Sequence, residues 1–254
     1  MSDKPYIDLL KLYYGADYSV TDYITIHQPT ILEIIEYGEI KFWSLVARIC
    51  ANPTSVRLQL WDIGLDWNTM SDYDLFVILT RSFSEDETRI VFGDLDLSKY
   101  KPVEVDGKVV LVHMDNPLNI IDEEIYLNMV TYLRTMFDFH PKTEKAANKW
   151  TKDALLQGDR QNIIDQEKIA KAHPRKTSES PFLPLISFCL NHPGFKYKKD
   201  ELGKVGLFEF MESLKRIQNT ESVLALMHGM YSGFIDTSGI DASKDLNLLK
   251  DLTE

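Results

Sequence analysis

Two apolar blocks, at residues 28–67 and 182–236, set the limits on what this chain can fold into. The first reads QPTILEIIEYGEIKFWSLVARICANPTSVRLQLWDIGLDW, and the second contains LISFCLNHPGFKY, FEFMESLKRIQ and ALMHGMYSGFID. In both, large apolar side chains recur at helical spacing, so each block must bury a helical stripe. With 254 residues the chain can form one large domain or two small ones around a real core. No apolar run approaches the roughly 18–20 residues needed to span a bilayer. The opening MSDKPYIDLL lacks the basic-then-apolar order of a secretory signal, because Asp8 interrupts it. The two cysteines, Cys50 and Cys189, both fall in apolar helical patterns. That predicts buried free thiols and an intracellular, reducing location.

Charge is unevenly placed. Residues 1–140 carry 11 Lys and Arg against 23 Asp and Glu, whereas residues 141–254 carry 17 against 16. The acidic half should repel nucleic acid and anionic membranes. Small basic clusters at Lys168, Lys171, Arg175 and Lys176, and at Lys196, Lys198 and Lys199, read as solvated surface.

Local signals predict an α+β chain that is mainly α-helical. A short helix over 5–14 ends at Gly15, and residues 23–27 alternate as a strand. Thr30 and Glu33 have capping-box spacing, and Gly38 interrupts the helix they start. Helices follow over 41–51 and 54–63, with Gly64 as a C-cap. Ser71 and Asp74 start another. The period then changes: 89–97, 103–105 and 109–114 read as strands of a small antiparallel sheet at about 89–114, with Asp106-Gly107 as its hairpin turn. Asp122 caps a helix whose stripe is Ile125, Met129, Tyr132, Leu133 and Met136. A long polar helix over 151–172 and a linker over 173–181 lead to a C-terminal helical unit with helices at 182–190, 207–218 and 222–232. The expected organisation is an acidic α+β domain at 1–140, a polar helix and linker at 141–181, and the helical unit at 182–254.

No constellation of reactive residues emerges from this pass. The six histidines lack i, i+3 or i+4 pairs for a metal. Gly-rich phosphate loops, Gly-x-Ser-x-Gly elbows and Cys-x-x-Cys pairs do not occur. Asp94 and Asp96 would share a face of the expected strand, so a divalent-metal-dependent enzyme using them is the alternative chemistry. Asp62 and Asp66 flank Gly64, and Cys189 lies three residues from His192; packing roles account for these positions.

The segments QPTILEIIEYGE, LQLWDIGLDW, FGDLDL, LISFCLNHPGFKY, SLKRIQ and HGMYSGFID resemble bacteriophage tail assembly chaperones or related tail-morphogenesis proteins of long-tailed phages and prophages. The likeness covers most of residues 22–240 and brings no catalytic residue with it. It implies a non-enzymatic protein of the host cytoplasm, without cofactor or metal. Such a protein would bind apolar helical segments of a tape-measure-like protein until tail-tube subunits assemble, and could itself form a homo-oligomer. A structural virion component, connector or baseplate subunit, is the alternative. The Met-rich C-terminal helices suit such binding, because unbranched thioether side chains re-pack around varied partners. The expected surface comprises Leu207, Phe210, Met211, Leu214, Met227, Met230, Tyr231 and Phe234.

Overall fold

A computed structural model describes residues 5–172, 180–233 and 236–252, and the fold is α+β and mainly helical. Helix α1 (Leu9–Tyr13) leads into an antiparallel ribbon of β1 (Tyr18–Thr21) and β2 (Ile24–Ile26). The alternation at 23–27 anticipates β2 but not its partner. Helices α2 (Ile31–Tyr37), α3 (Glu39–Ile49), α4 (Arg57–Asp62) and α5 (Asp72–Leu79) follow. The Thr30 hydroxyl accepts from the Glu33 amide at 3.3 Å, while the Glu33 carboxylate accepts from the Thr30 amide at 2.8 Å. Ser71 and Asp74 make the same reciprocal pair at 3.0 and 3.1 Å. Each pair satisfies two amides that a helix start leaves free. Gly38, at φ +100°, separates α2 from α3.

The strand expected at 89–97 is instead the end of α6 (Glu85–Phe92) and the turn after it. Ser84 caps this helix by accepting from the Glu87 amide at 3.3 Å, and Glu85, Asp86 and Glu87 occupy its first turn, where the helix dipole favours acids. Thr88, Val91 and Phe92 are its buried face. The start signal at 84–87 therefore prevails over the short apolar run RIVF. The sheet begins later, with β3 (Tyr100–Val105), β4 (Lys108–His113) and β5 (Ile120–Ile121) in antiparallel order. Asp106 and Gly107 both have positive φ, as a two-residue hairpin of this hand requires, and Val105 pairs with Lys108 across them.

Helix α7 (Glu123–Met136) starts where Asp122 accepts from the Ile125 amide at 2.8 Å. Helix α8 (Lys149–Ala172) buries Leu156 and exposes most of its other side chains. Residues 173–179 of the expected linker lie outside the described residues. Beyond them come α9 (Phe182–Asn191), α10 (Lys199–Leu202), α11 (Leu207–Ser232) and α12 (Ala242–Asp245). The two helices expected at 207–218 and 222–232 are one. Asn219, Thr220 and Glu221 contain neither Gly nor Pro, and the hydroxyls of Thr220 and Ser222 donate back to the carbonyls four residues earlier at 2.8 Å.

One large core runs across the boundaries expected at 140 and 181. It joins Ile34, Phe42 and Leu45 to Leu133 and Met136, and these to Phe182, Leu207, Phe210 and Leu214. Phe182 lies between Trp43 and Phe210, with ring centroids 5.7 and 6.3 Å away. Main-chain bonds sew the starts of α2 and α11 together: Ile31 donates to Val205 and Leu207 donates to Pro29, each at 3.0 Å. A smaller core of Ala51, Leu58, Leu60, Trp67, Leu75, Ala146 and Leu156 lies under α8. Ion pairs clamp α8 over it, with Arg57 to Asp159 at 2.6 Å, Arg160 to Asp62 at 2.8 Å and Lys152 to Asp66.

Candidate protein-binding surface

The β3–β4–β5 register sorts the sheet into two faces. Tyr100, Leu111 and Ile121 point to the core and are buried. On the opposite face the pairs Lys101–Val112, Val103–Val110, Val105–Lys108 and Val112–Ile120 line up. That face therefore carries Val103, Val105, Val110, Val112 and Ile120, with Lys101 and Lys108 among them. None of the seven is buried, and Val103 and Val105 are 44% and 48% exposed.

This departs from the rule for a half-solvated antiparallel sheet, which alternates apolar-in with polar-out. The run Val109-Val110-Leu111-Val112 is continuous and aliphatic, as in strands covered on both sides. Here the chain buries one side at Tyr100, Leu111 and Ile121, while Val109, toward the hairpin turn on that same side, is 43% exposed. The sequence signal was therefore present: VVLV breaks the alternation that a single buried face needs. The β3 edge of the same sheet is less inviting. Pro102 removes one main-chain donor from that strand.

The residues expected to bind on α11 do not form one surface. Leu207, Phe210 and Leu214 are buried in the main core, so they are not available to a partner. The helical stripe that suggested a docking face is the stripe that holds α11 in the fold. Met211, Met227 and Met230 are half-buried, Tyr231 is 81% exposed, and Phe234 lies outside the described residues.

The candidate carboxylates have other occupations. Asp94 is exposed and pairs with Arg89 at 2.8 Å, while Asp96 accepts from the amide and hydroxyl of Ser98 at 2.9 and 2.6 Å. Gly93, at φ +59°, ends α6 just before them, so they do not share a strand face. Among the described residues no group of three His, Cys, Asp or Glu side chains converges as metal ligands. His192 hydrogen-bonds Glu221 at 3.2 Å, and burial raises the Cys189 thiol pKa. Burial likewise pushes Cys50 up to about 12, against a smaller opposing pull from Arg134.

A cleft of about 480 Å³ lies between α4, residues 139–144 and α8. Its one guanidinium, Arg57, is engaged by Asp159 and Glu144 at 2.6–2.7 Å, so it braces α8. No helix among the described residues is long and apolar enough to cross a membrane. Comparison of the chain with protein-family models, curated proteins and solved structures returns no match.

Proposed function

We propose that the protein is a non-enzymatic assembly factor for a bacteriophage tail. It holds apolar helical segments of a tape-measure-like protein in the host cytoplasm until tail-tube subunits take them over. The phage context rests on the resemblance of the apolar segments, and the mode of action rests on the outer sheet face. That face is the observation that carries the reading, because five aliphatic side chains line up on one sheet face and none is buried by the chain: Val103 and Val105 are exposed, and Val110, Val112 and Ile120 are half-buried.

Its size suits a helix. Strands β3 and β4 have six residues each, so the face is about 20 Å long; at about 4.8 Å per strand spacing it is about 10 Å wide where the two residues of β5 extend it and about 5 Å wide elsewhere. One α-helix of about 13 residues has that length and covers that width. Lys101 and Lys108 favour an occupant with acidic flanks.

Co-expression with a coiled-coil segment of the tape-measure protein from the same genome tests the reading. The segment should stay soluble and co-purify with the wild-type protein, and should precipitate with the Val103→Asp/Val105→Asp variant. Val103 and Val105 are both exposed, so the variant should keep the wild-type circular dichroism spectrum. A segment that stays insoluble beside the wild-type protein contradicts the reading. Detection of the protein by mass spectrometry in purified particles would replace it with a structural virion role.

A further inference from the structure

Helix α8 is docked mainly by charge. It buries one of its 24 side chains, Leu156, with Leu155 half-buried beside it, whereas α7 buries six of its 14. Arg57 on α4 donates through Nε and Nη2 to the two carboxylate oxygens of Asp159 at 2.6 and 2.7 Å. Arg160 pairs with Asp62 at 2.8 Å, and Lys152 pairs with Asp66. Among the described residues no main-chain hydrogen bond ties α8 to another element.

The segment before α8 is fixed in a different way. Asn52 Nδ2 donates to the carbonyls of Pro141 and Lys142 at 3.3 and 3.0 Å. The Thr54 hydroxyl donates to the Glu144 carbonyl at 3.2 Å and accepts from the Glu144 amide at 3.0 Å. Asn68 exchanges two bonds with the main chain of Ala146, at 2.7 and 3.0 Å. This stapling stops at Ala146. Ala147 and Asn148 are exposed bends, so a hinge for α8 lies there.

The helix is also weak in itself. Gly158 sits in its interior, where an added Cβ would meet nothing within 4 Å. Once undocked, a polar helix of this length with a central glycine is marginal in water, so undocking and unwinding go together. One buried leucine offsets little of the entropy of ordering 24 residues, so docking depends on the ion pairs. Beneath the helix lies Trp67, which is 2% exposed, has Lys152 Nζ 5.7 Å from its ring centroid and shares the smaller core with Leu156.

We propose that α8 is a strap that opens as a unit about residues 147–148, released by rising ionic strength. Opening uncovers the Trp67 side of the smaller core while the main core stays folded. Screening supplies the trigger, because the Debye length falls from about 10 Å at 0.1 M salt to about 3 Å at 1 M. The Arg160–Asp62 pair, about half exposed on both sides, weakens first, and the pair of Arg57, which is 12% exposed, weakens last. The inference does not depend on the outer sheet face, so either can fail without the other.

Amide hydrogen exchange of the full chain at about 0.1 and 1 M NaCl tests it, with α8 rates taken relative to a free peptide of residues 149–172. At the lower salt, α8 should exchange more slowly than the free peptide but on the order of a hundredfold faster than α7. The higher salt should speed α8 at least about threefold. Gly158→Ala should slow α8 about fivefold. Val130→Ala, on the buried face of α7, should speed α7 and leave α8 unchanged, because the main core is intact in the closed and open states alike. The Trp67 indole N–H, followed by NMR, should exchange at the α8 rate. Protection of α8 equal to that of α7, or α8 accelerated in step with α7 by Val130→Ala, would overturn separate opening. Exchange of α8 as fast as the free peptide, or unchanged by salt, would overturn the latch, and Trp67 exchange at the α7 rate would overturn the uncovering.

Discussion

At the scale of single residues, the tightest constraint is at Gly206. Its φ of −66° is open to any residue, so its need for glycine is steric. A Cβ there would lie 2.1 Å from Gln28 Oε1. Gln28 cannot retreat freely, because it is buried and its Nε2 donates to the Leu12 carbonyl at 2.8 Å. Gly206→Ala should destabilise the protein by about 1–3 kcal/mol in urea unfolding. Gln28→Ala in the same chain should return part of that loss, and strictly additive costs would disprove the clash. Nothing local marks Gly206, since the clash partner is far away in the sequence. The thiols were legible, because both cysteines sit in apolar helical runs. With both buried and their pKa raised, neither should be alkylated by iodoacetamide in native protein at about pH 7. Both should react once guanidine unfolds the chain, and rapid native labelling of Cys50 would contradict its burial.

At the scale of elements, α8 shows how a polar helix is held. Leu156 is its buried anchor, and the ion pairs from residues 152, 159 and 160 fix it over α4 and the turn that follows. The bond from Lys152 is the main reason that Asp66 ionises below its ordinary 3.8, with smaller opposition from desolvation. A lowered acid stabilises the fold fully above its unfolded pKa, and the contribution disappears as pH falls through the folded value. The Tm gap between wild type and Lys152→Met should thus be widest near about pH 6–7 and narrow toward about pH 2. A gap constant across that range would assign the effect of Lys152 to packing on Trp67, whose ring centroid is 5.7 Å from Nζ.

Elements with local signals were the legible ones. The capping pairs at 30/33 and 71/74, the Asp122 cap and the Asp106-Gly107 hairpin all act within a few residues, and each is where the sequence puts it. The end of α6 departs from the expected strand because RIVF suits either period, and the acidic start upstream decides between them. The continuity of α11 and the pairing of β1 with β2 depend on the absence of a strong breaker and on tertiary pairing, for which no local pattern stands.

At the scale of the whole molecule, the two apolar blocks serve one core. Residues of α2 and α3 pack with those of α9 and α11, so the second block is structural along much of its length. The stripe of Leu207, Phe210 and Leu214 is therefore covered by the chain itself: periodicity reports that a face is covered and does not say by what. The aliphatic face left open is in the middle of the chain, on the sheet of an acidic protein, with its two lysines marking a local reversal of charge. In the proposed role, a net charge of −11 would repel nucleic acid, and the two lysines would favour an acidic-flanked helix.

Valine-methyl NMR, with a coiled-coil segment of the tape-measure protein titrated into the labelled full chain, tests the central claim most directly. Shifts should concentrate on the methyls of Val103, Val105, Val110 and Val112, while those of core residues Val46, Val91 and Val130 stay in place. Saturable binding that leaves the four outer-face valines unmoved would contradict the assignment of that face.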